Sequence, residues 1–215
     1  MMRRTVYYAT RSPYKKEELL IIANESFTVA GALHTVGDVI EFQVSSTPTE
    51  EPLEIDLEAM VRHKVRSAYR KILAPCIVEH AGLILEKNAA AMFPGGLTQP
   101  MWDYLGPQGF IDRIGCGGER ATARAVVGYC NGKEIRTFVG ETKGSLARKP
   151  TGGRGFYWDV IFVPDEVGTG QTYAEIAEQP NGLAQKLHIS QSTKAIKQLA
   201  AFLLNDTSDG TFAID

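Results

Sequence analysis

The residues best equipped for chemistry lie between Phe138 and Glu175, where the chain reads FVGETKGSLARKPTGGRGFYWDVIFVPDEVGTGQTYAE. The first part is basic and punctuated by glycines, and backbone amides with Lys and Arg side chains suit phosphate groups. It runs into Phe156-Tyr157-Trp158-Asp159, where aromatic faces stand beside one carboxylate. Aromatic stacking holds a base with about 1–3 kcal/mol and discriminates bases poorly. A fixed carboxylate such as Asp159 adds directional hydrogen bonding. Phe156, Trp158 and Asp159 are therefore candidate base-contacting residues, with Trp158 the expected stacking platform. One segment offers both halves of a nucleotide site, although a core strand with a buried tryptophan is the plainer reading of the same residues.

A second constellation sits near the start, in Ala9-Thr10-Arg11-Ser12-Pro13-Tyr14-Lys15-Lys16-Glu17-Glu18. Pro13 suits the first turn of a helix, and a helix N-terminus presents free N–H groups to an anion. The Thr10 and Ser12 hydroxyls and the Lys15 ammonium complete a polyphosphate cradle. Arg11 adds a guanidinium that can bridge phosphate oxygens with two donors and so partly replace a metal ion. A third pair is Glu79-His80 in Val78-Glu79-His80-Ala81-Gly82-Leu83; an imidazole can serve as general base near neutral pH.

These groups need a scaffold. Thr5–Thr10 reads as a short strand, followed by a helix from Pro13 to about Ala23. Leu57, Met60, Val61, Val65, Ala68 and Ile72 recur at helical spacing, which predicts a long helix from about Pro52 to Leu73. Pro75 ends it, and Cys76-Ile77-Val78 reads as a buried strand delivering Glu79 and His80 at its carboxyl end. Ala121–Cys130 and Glu134–Val139 are β-rich runs joined through Asn131-Gly132, a hairpin signal. Ser190 is placed to cap a last helix whose Ile196, Leu199, Ala200 and Leu203 share one face. Alternating strands and helices with a central hairpin indicate a mixed α/β fold. The Gly/Pro-rich patches Phe93–Pro100 and Lys149–Gly155 read as working loops.

Composition narrows the function. A net charge of −2 argues against a dedicated nucleic-acid binder. No apolar run approaches the roughly 18 residues of a membrane span, and MMRRTVYYAT has no apolar h-region, so no signal peptide is expected. The three cysteines, Cys76, Cys116 and Cys130, have no metal-ligand spacing and indicate no disulfide framework. A cytoplasmic protein is expected. No Walker loop, H-E-x-x-H, G-x-S-x-G or C-x-x-C motif points to another enzyme class.

Taken together, these motifs resemble the inosine triphosphate pyrophosphatase family, which acts on non-standard purine nucleoside triphosphates. The family block F-x-G-x-T-x-G … F-G-W-D-P-x-F … T-Y-A-E-M is matched from Phe138 to Glu175, with Tyr157 for the glycine and Val160 for the proline. The A-T-x-N-x-x-K-x-x-E element is matched from Ala9 to Glu18, with Ser12 for the asparagine and Arg11 where glycine is common. The K-N-x-x-S-H-R-x-K-A element is matched by Lys186, Ser190, Lys194 and Ala195. The resemblance places Lys186, with Lys15, on the triphosphate, and Ser190 and Gln191 near the base. The family's His-Arg pair has become Gln191-Ser192. A neutral amide in place of a guanidinium fork implies weaker or altered base discrimination. His188, displaced by three, reads as a solvated helix-start residue.

The resemblance is weakest at the chemistry. The family's V-E-D-x-G-L ends a strand with an Asp belonging to the acidic group that handles Mg²⁺ and the attacking water; here that position is His80. Glu79 and His80 are the implied, degenerate catalytic positions. Glu79 and Glu50 are the implied metal ligands, because a second acidic position falls on Thr47 unless the loop shifts Glu50 or Glu51 into it. Mg²⁺ demands oxygen ligands, and imidazole is a poor replacement. The G-x-P-G-x-Y/F loop has become Gly96-Leu97-Thr98-Gln99-Pro100-Met101.

The resemblance runs from Tyr7 to Phe202. It implies an α/β fold with a mixed, elongated sheet and helices in two lobes around a central nucleotide cleft. A single domain over 1–205, a frayed tail over 206–215 and a homodimer are expected. The expected function is binding of an ITP-, dITP- or XTP-type nucleotide with impaired hydrolysis, as a sensor. Proteins of this fold that resemble such a sensor partner a sirtuin-like, NAD-consuming effector in bacterial antiviral defence, and the resemblance extends that expectation here. The alternative is an active diphosphatase using Mg²⁺ or Mn²⁺ with His80 as base. A relic that binds nothing is the third reading, and the retained Lys15, Trp158, Asp159 and Lys186 argue against it.

Overall fold

The computed structural model describes residues 3–153 and 156–206. In order along the chain lie β1 (Arg4–Ala9), α1 (Pro13–Ile22), β2 (Ser26–Val29), β3 (Ala32–Thr35), the single turn α2 (Val36–Val39) and β4 (Ile40–Ser45). Then come α3 (Leu57–Ile72), β5 (Cys76–Leu85), α4 (Thr98–Arg113), β6 (Arg120–Cys130), β7 (Ile135–Leu146) and β8 (Phe162–Pro164). Helices α5 (Tyr173–Ala177), α6 (Gly182–Ile189) and α7 (Gln191–Asn205) follow. Six strands form one mixed sheet in the order β4-β1-β5-β6-β7-β8, while β2 and β3 make a separate antiparallel pair. β1 runs parallel to β4 and β5, and the remaining pairings are antiparallel. The fold is the expected mixed α/β sheet with helices in two lobes.

The two-residue period of the strands builds the cores. On β5 and β6, Ile77, Val127 and Tyr129 face the apolar stripes of α1 and α7, including Leu19, Ile22, Ile196 and Leu199. Their neighbours Cys76, Val78, Val126 and Cys130 face α3 through Leu57, Val61, Val65 and Ala68. A third cluster forms the other lobe, where Leu83, Leu85, Ala121 and Ala123 meet Trp102 and Phe110 of α4, with Trp158, Phe162 and Tyr173. Among the described residues no helix is long and apolar enough to cross a membrane.

Several expectations need correction. α3 begins at Leu57, five residues later than Pro52, because the Asp56 carboxylate accepts hydrogen bonds from the N–H groups of Glu58 (2.8 Å) and Ala59 (3.3 Å) and sets the N-terminus. β5 does not end at Glu79-His80. It continues to Leu85 because β6 pairs with it along its whole length, from Cys76↔Cys130 to Leu85↔Ala121. Gly82 lets the following loop fold back over the strand, since a Cβ there would lie 2.1 Å from the Gly95 carbonyl oxygen. Phe156–Asp159 is not a strand start: Tyr157–Val160 forms a 3₁₀ turn, closed by the Phe156 N–H donating to the Asp159 carboxylate at 3.2 Å. His188 lies near the end of α6. The predicted hairpin is present as β6–β7. Of the tail over 206–215, Asp206 pairs with Arg4 at 2.9 Å, and 207–215 lies outside the described residues, as do Arg154 and Gly155 of the basic loop.

Candidate functional site

The cleft follows from strand register. β1 pairs with β5 only at Tyr7↔Cys76 and Tyr8↔Ile77, whereas β5 runs on beside β6. Past Ile77 the edge of β5 that faced β1 is open, and a cavity of about 970 Å³ fills the gap. Glu79 and His80 both border it, and Thr10–Lys15, Lys64, Gln99, Trp102, Asp103, Phe156 and Tyr157 line its other sides.

Glu79 lies on the α1/α7 side and is fully engaged. Its Oε1 accepts from Lys15 Nζ (3.1 Å) and Ser192 Oγ (2.6 Å), and its Oε2 accepts from the Tyr8 hydroxyl (2.7 Å). Burial works to raise the carboxyl pKa, but Lys15 and the hydrogen bonds from Ser192 and Tyr8 outweigh it and leave Glu79 below the ordinary value. Burial likewise works against the Lys15 charge, and Glu18 (3.0 Å) and Glu79 outweigh it, so its pKa is well raised. His80 points to the α3 side. Its Nδ1 stands 3.8 Å from Glu51 Oε2, while Lys64 Nζ bonds Glu51 Oε1 (2.9 Å) and the Glu79 carbonyl (3.1 Å). Burial, then Lys64, drives the imidazole pKa down to about 4 against the pull of Glu51, so His80 is neutral at pH 7.

The β1–α1 loop, expected to cradle phosphates, borders the cavity. The Ser12 N–H donates to Thr10 Oγ1 at 3.2 Å, Pro13 opens α1, and the Ser12 hydroxyl makes no capping bond. Thr10, Arg11, Ser12 and Lys15 all border the cavity. Lys186 does not. It forms a buried pair with Asp159 at 2.5 Å, beside a small second recess shared with Tyr14, Glu17, Glu18 and Phe156. Lys186 therefore meets the aromatic turn through the Asp159 carboxylate and not the cavity. Burial raises the Asp159 pKa even against Lys186.

The aromatic turn divides its labour differently from expectation. Trp158 also borders the cavity but is 2% exposed, wedged against Phe162 and Tyr173. Phe156 offers the accessible ring, with Tyr14 edge-on at 6.2 Å, Tyr157 edge-on at 4.5 Å and Lys15 Nζ 5.7 Å from its centroid. Tyr157, at φ +48°, occupies backbone space that favours glycine and is tied to Gln99 by a 2.8 Å hydrogen bond. Ser190 and Gln191 border neither recess. Ser190 Oγ caps α7 by accepting from the Thr193 N–H, and Gln191 Oε1 accepts from the Tyr173 hydroxyl. Glu50 faces outward to His63, and Glu51 takes the cavity position. The described part of the basic loop, Ala147–Gly153, does not line the cavity.

Sequence reasoning missed Lys64 and Tyr8. Lys64 sits between Met60, Val61, Val65 and Ala68; a lysine interrupting a buried stripe was the available signal. Tyr8 is 2% exposed with its hydroxyl on Glu79.

The acidic groups do not fit a divalent cation. Among the described residues no three His, Cys, Asp or Glu side chains are grouped to hold one. Both Glu79 oxygens already accept hydrogen bonds, Oε1 from Lys15 and Oε2 from Tyr8, and the Lys64 ammonium lies on Glu51 Oε1, so a lysine cation stands beside each carboxylate where a metal would bind.

The comparisons with known proteins agree with this geometry. A family model described as the Ham1 family matches residues 6–202. The chain belongs to the Ham1 family. It is 34% identical over 154 residues to the dITP/XTP pyrophosphatase of Methanopyrus kandleri, covering 71% of this chain and 77% of that protein. The dITP/XTP pyrophosphatase of Hyperthermus butylicus is 28% identical over 204 residues, covering 94% and 96%. A Ham1 protein structure from Coxiella burnetii superposes with a TM-score of 0.67 at 20% identity, covering 95% of this chain and all of that one.

Proposed function

We propose that this chain binds a non-standard purine nucleoside triphosphate, of the ITP, dITP or XTP type, and holds it without efficient hydrolysis. The relatives named dITP/XTP pyrophosphatases support the ligand class. The observation carrying the reading is the arrangement around β5. A cavity bordered by the cations Arg11, Lys15 and Lys64 and by the Phe156 ring, with Lys15 Nζ 5.7 Å from that ring's centroid, carries the two kinds of group a nucleotide site needs, while Lys64 and His80 stand among its carboxylates. Lowering the pKa of an attacking water and polarising a phosphoryl group require a correctly held cation, and these acids are already paired with lysines.

On this reading the protein is a cytoplasmic nucleotide sensor that works as a homodimer. Its partner would be a sirtuin-like, NAD-consuming effector of bacterial antiviral defence, an assignment resting on the resemblance described above. The second reading is an active diphosphatase that releases pyrophosphate with Mg²⁺ or Mn²⁺, favoured by the names of the relatives.

Thermal unfolding with dITP tests the site. At 100 times Kd the ligand adds about 2.7 kcal/mol of stability, and Phe156→Ala combined with Lys64→Ala removes the shift. A shift that survives in the double variant would refute the site.

A further inference from the structure

Two polar atoms in the cavity wall are buried and have no hydrogen-bond partner among the described residues: Ser12 Oγ and His80 Nε2. His80 is 8% exposed. A buried polar atom left without a partner is rare and calls for an explanation. Both residues border the same cavity as Lys15 and Lys64. We infer that this site grips the polyphosphate of its ligand without a divalent metal, with His80 Nε2 and Ser12 Oγ reserved as hydrogen-bond donors to phosphate oxygens. The inference rests on the nucleotide reading above and goes beyond it in naming what replaces the cation.

The donor chemistry fits an anion and not a cation. Imidazole can present an N–H at Nε2 whether it is neutral or charged. Nδ1 is 3.8 Å from Glu51, beyond hydrogen-bond distance, and the Gly96 backbone also pulls on the ring; the tautomer with its proton on Nε2 is the one that serves a phosphate oxygen. Ser12 is the N-cap residue of the ten-residue helix α1 and makes no side-chain cap bond. Its hydroxyl is therefore free to donate beside the helix's own N–H groups, which with the helix dipole favour negative charge. Lys15 and Lys64 bring two ammonium groups, each already desolvated against a carboxylate. A phosphate entering here meets N–H and O–H donors and fixed positive charge. A magnesium ion entering meets ammonium groups where it needs vacant oxygens.

The test uses isothermal calorimetry on the full chain, with dITP and inorganic tripolyphosphate as probes, each in EDTA and in excess Mg²⁺. Affinity for both probes in EDTA should lie within about threefold of that in Mg²⁺. His80→Leu should weaken binding in EDTA by about tenfold, or about 1.4 kcal/mol. His80→Gln, whose amide offers an N–H at similar reach, should recover most of it. Ser12→Ala, at a position outside the sheet, should weaken tripolyphosphate by severalfold and covers the case in which His80→Leu fails to fold. Nitrogen NMR of the His80 ring should show the Nε2 resonance moving on adding tripolyphosphate. Binding of dITP only with Mg²⁺ would overturn the inference and leave the nucleotide reading standing. Binding in EDTA that ignores both His80→Leu and Ser12→Ala would overturn the assignment of the donors. No binding of dITP in either buffer would overturn both readings.

Discussion

Glu79 and His80 are sequence neighbours whose side chains leave opposite faces of β5 and enter two separate charge networks. Glu79 meets Lys15, Tyr8 and Ser192, contributed by α1, β1 and α7; His80 meets Glu51 and Lys64. Strand alternation dictates this. The open edge of β5 beyond Ile77 lets both border one cavity, yet each network satisfies its own charges.

The buried pair Lys186–Asp159 predicts a strong asymmetry between breaking and replacing an ion pair. Lys186→Met leaves Asp159 buried with Glu18 nearby and no cation, and should cost about 3–5 kcal/mol. Adding Asp159→Asn should restore a large part of that loss. Urea unfolding of the two variants checks it; additive losses would show that the pair is not coupled.

Phe156 and Trp158 should separate binding from folding. Trp158→Ala empties a core position and should cost about 3–5 kcal/mol of stability. Phe156→Ala should leave the melting temperature of the free protein nearly unchanged and weaken dITP binding by about 1–3 kcal/mol. Calorimetric titration beside circular-dichroism melts distinguishes the two, and the reverse pattern would return the stacking role to Trp158.

Stability should fall in acid because of His80. Its folded pKa is lowered to about 4, while the unfolded imidazole titrates near 6.5. The unfolded chain therefore binds the proton first, so the contribution is complete above pH 6.5 and is lost as the pH drops toward 4. The loss is of the order of 3 kcal/mol. Urea midpoints across that range should decline in the native protein and much less in His80→Asn. Equal slopes would mean that another group titrates there.

Much of the scaffold was legible because its signals are local. The Pro13 start of α1, the Ser190 cap and the Ile196–Leu203 stripe of α7, and the hairpin at Asn131-Gly132 each depend on a few adjacent residues. What was not legible depends on partners distant in sequence. The length of β5 is set by pairing with β6, about 45 residues later. Both Phe156 and Trp158 border the cleft, but how deeply Trp158 is buried there depends on how Tyr173 and Phe162 pack against it. Ser190 is a good N-cap residue, and the resemblance also implied a place near the base; in the structure its side chain caps α7. Lys64 was hidden by the apolar stripe around it.

Restoring the acidic set should restore chemistry only in combination. Thr47 borders the cavity with its hydroxyl 2.7 Å from Ser45 Oγ. His80→Asp alone places a carboxylate beside Lys64 and should recover little. Thr47→Glu with His80→Asp should raise Mg²⁺-dependent turnover of dITP at least about tenfold, a barrier change of about 1.36 kcal/mol, with EDTA removing the gain. An equal gain from His80→Asp alone would locate the defect in that one residue.

Incubation of the native protein with dITP, XTP or dGTP in Mg²⁺ and in Mn²⁺, followed by anion-exchange separation of the products, bears on all of this at once. With Lys15 on Glu79 and Lys64 on Glu51, dITP should remain intact. Release of monophosphate and pyrophosphate should be slower by several orders of magnitude than in a Ham1 protein with its acidic group complete. Brisk conversion of dITP in Mg²⁺ would contradict the reading of a pocket that binds without hydrolysing and would make the chain a diphosphatase.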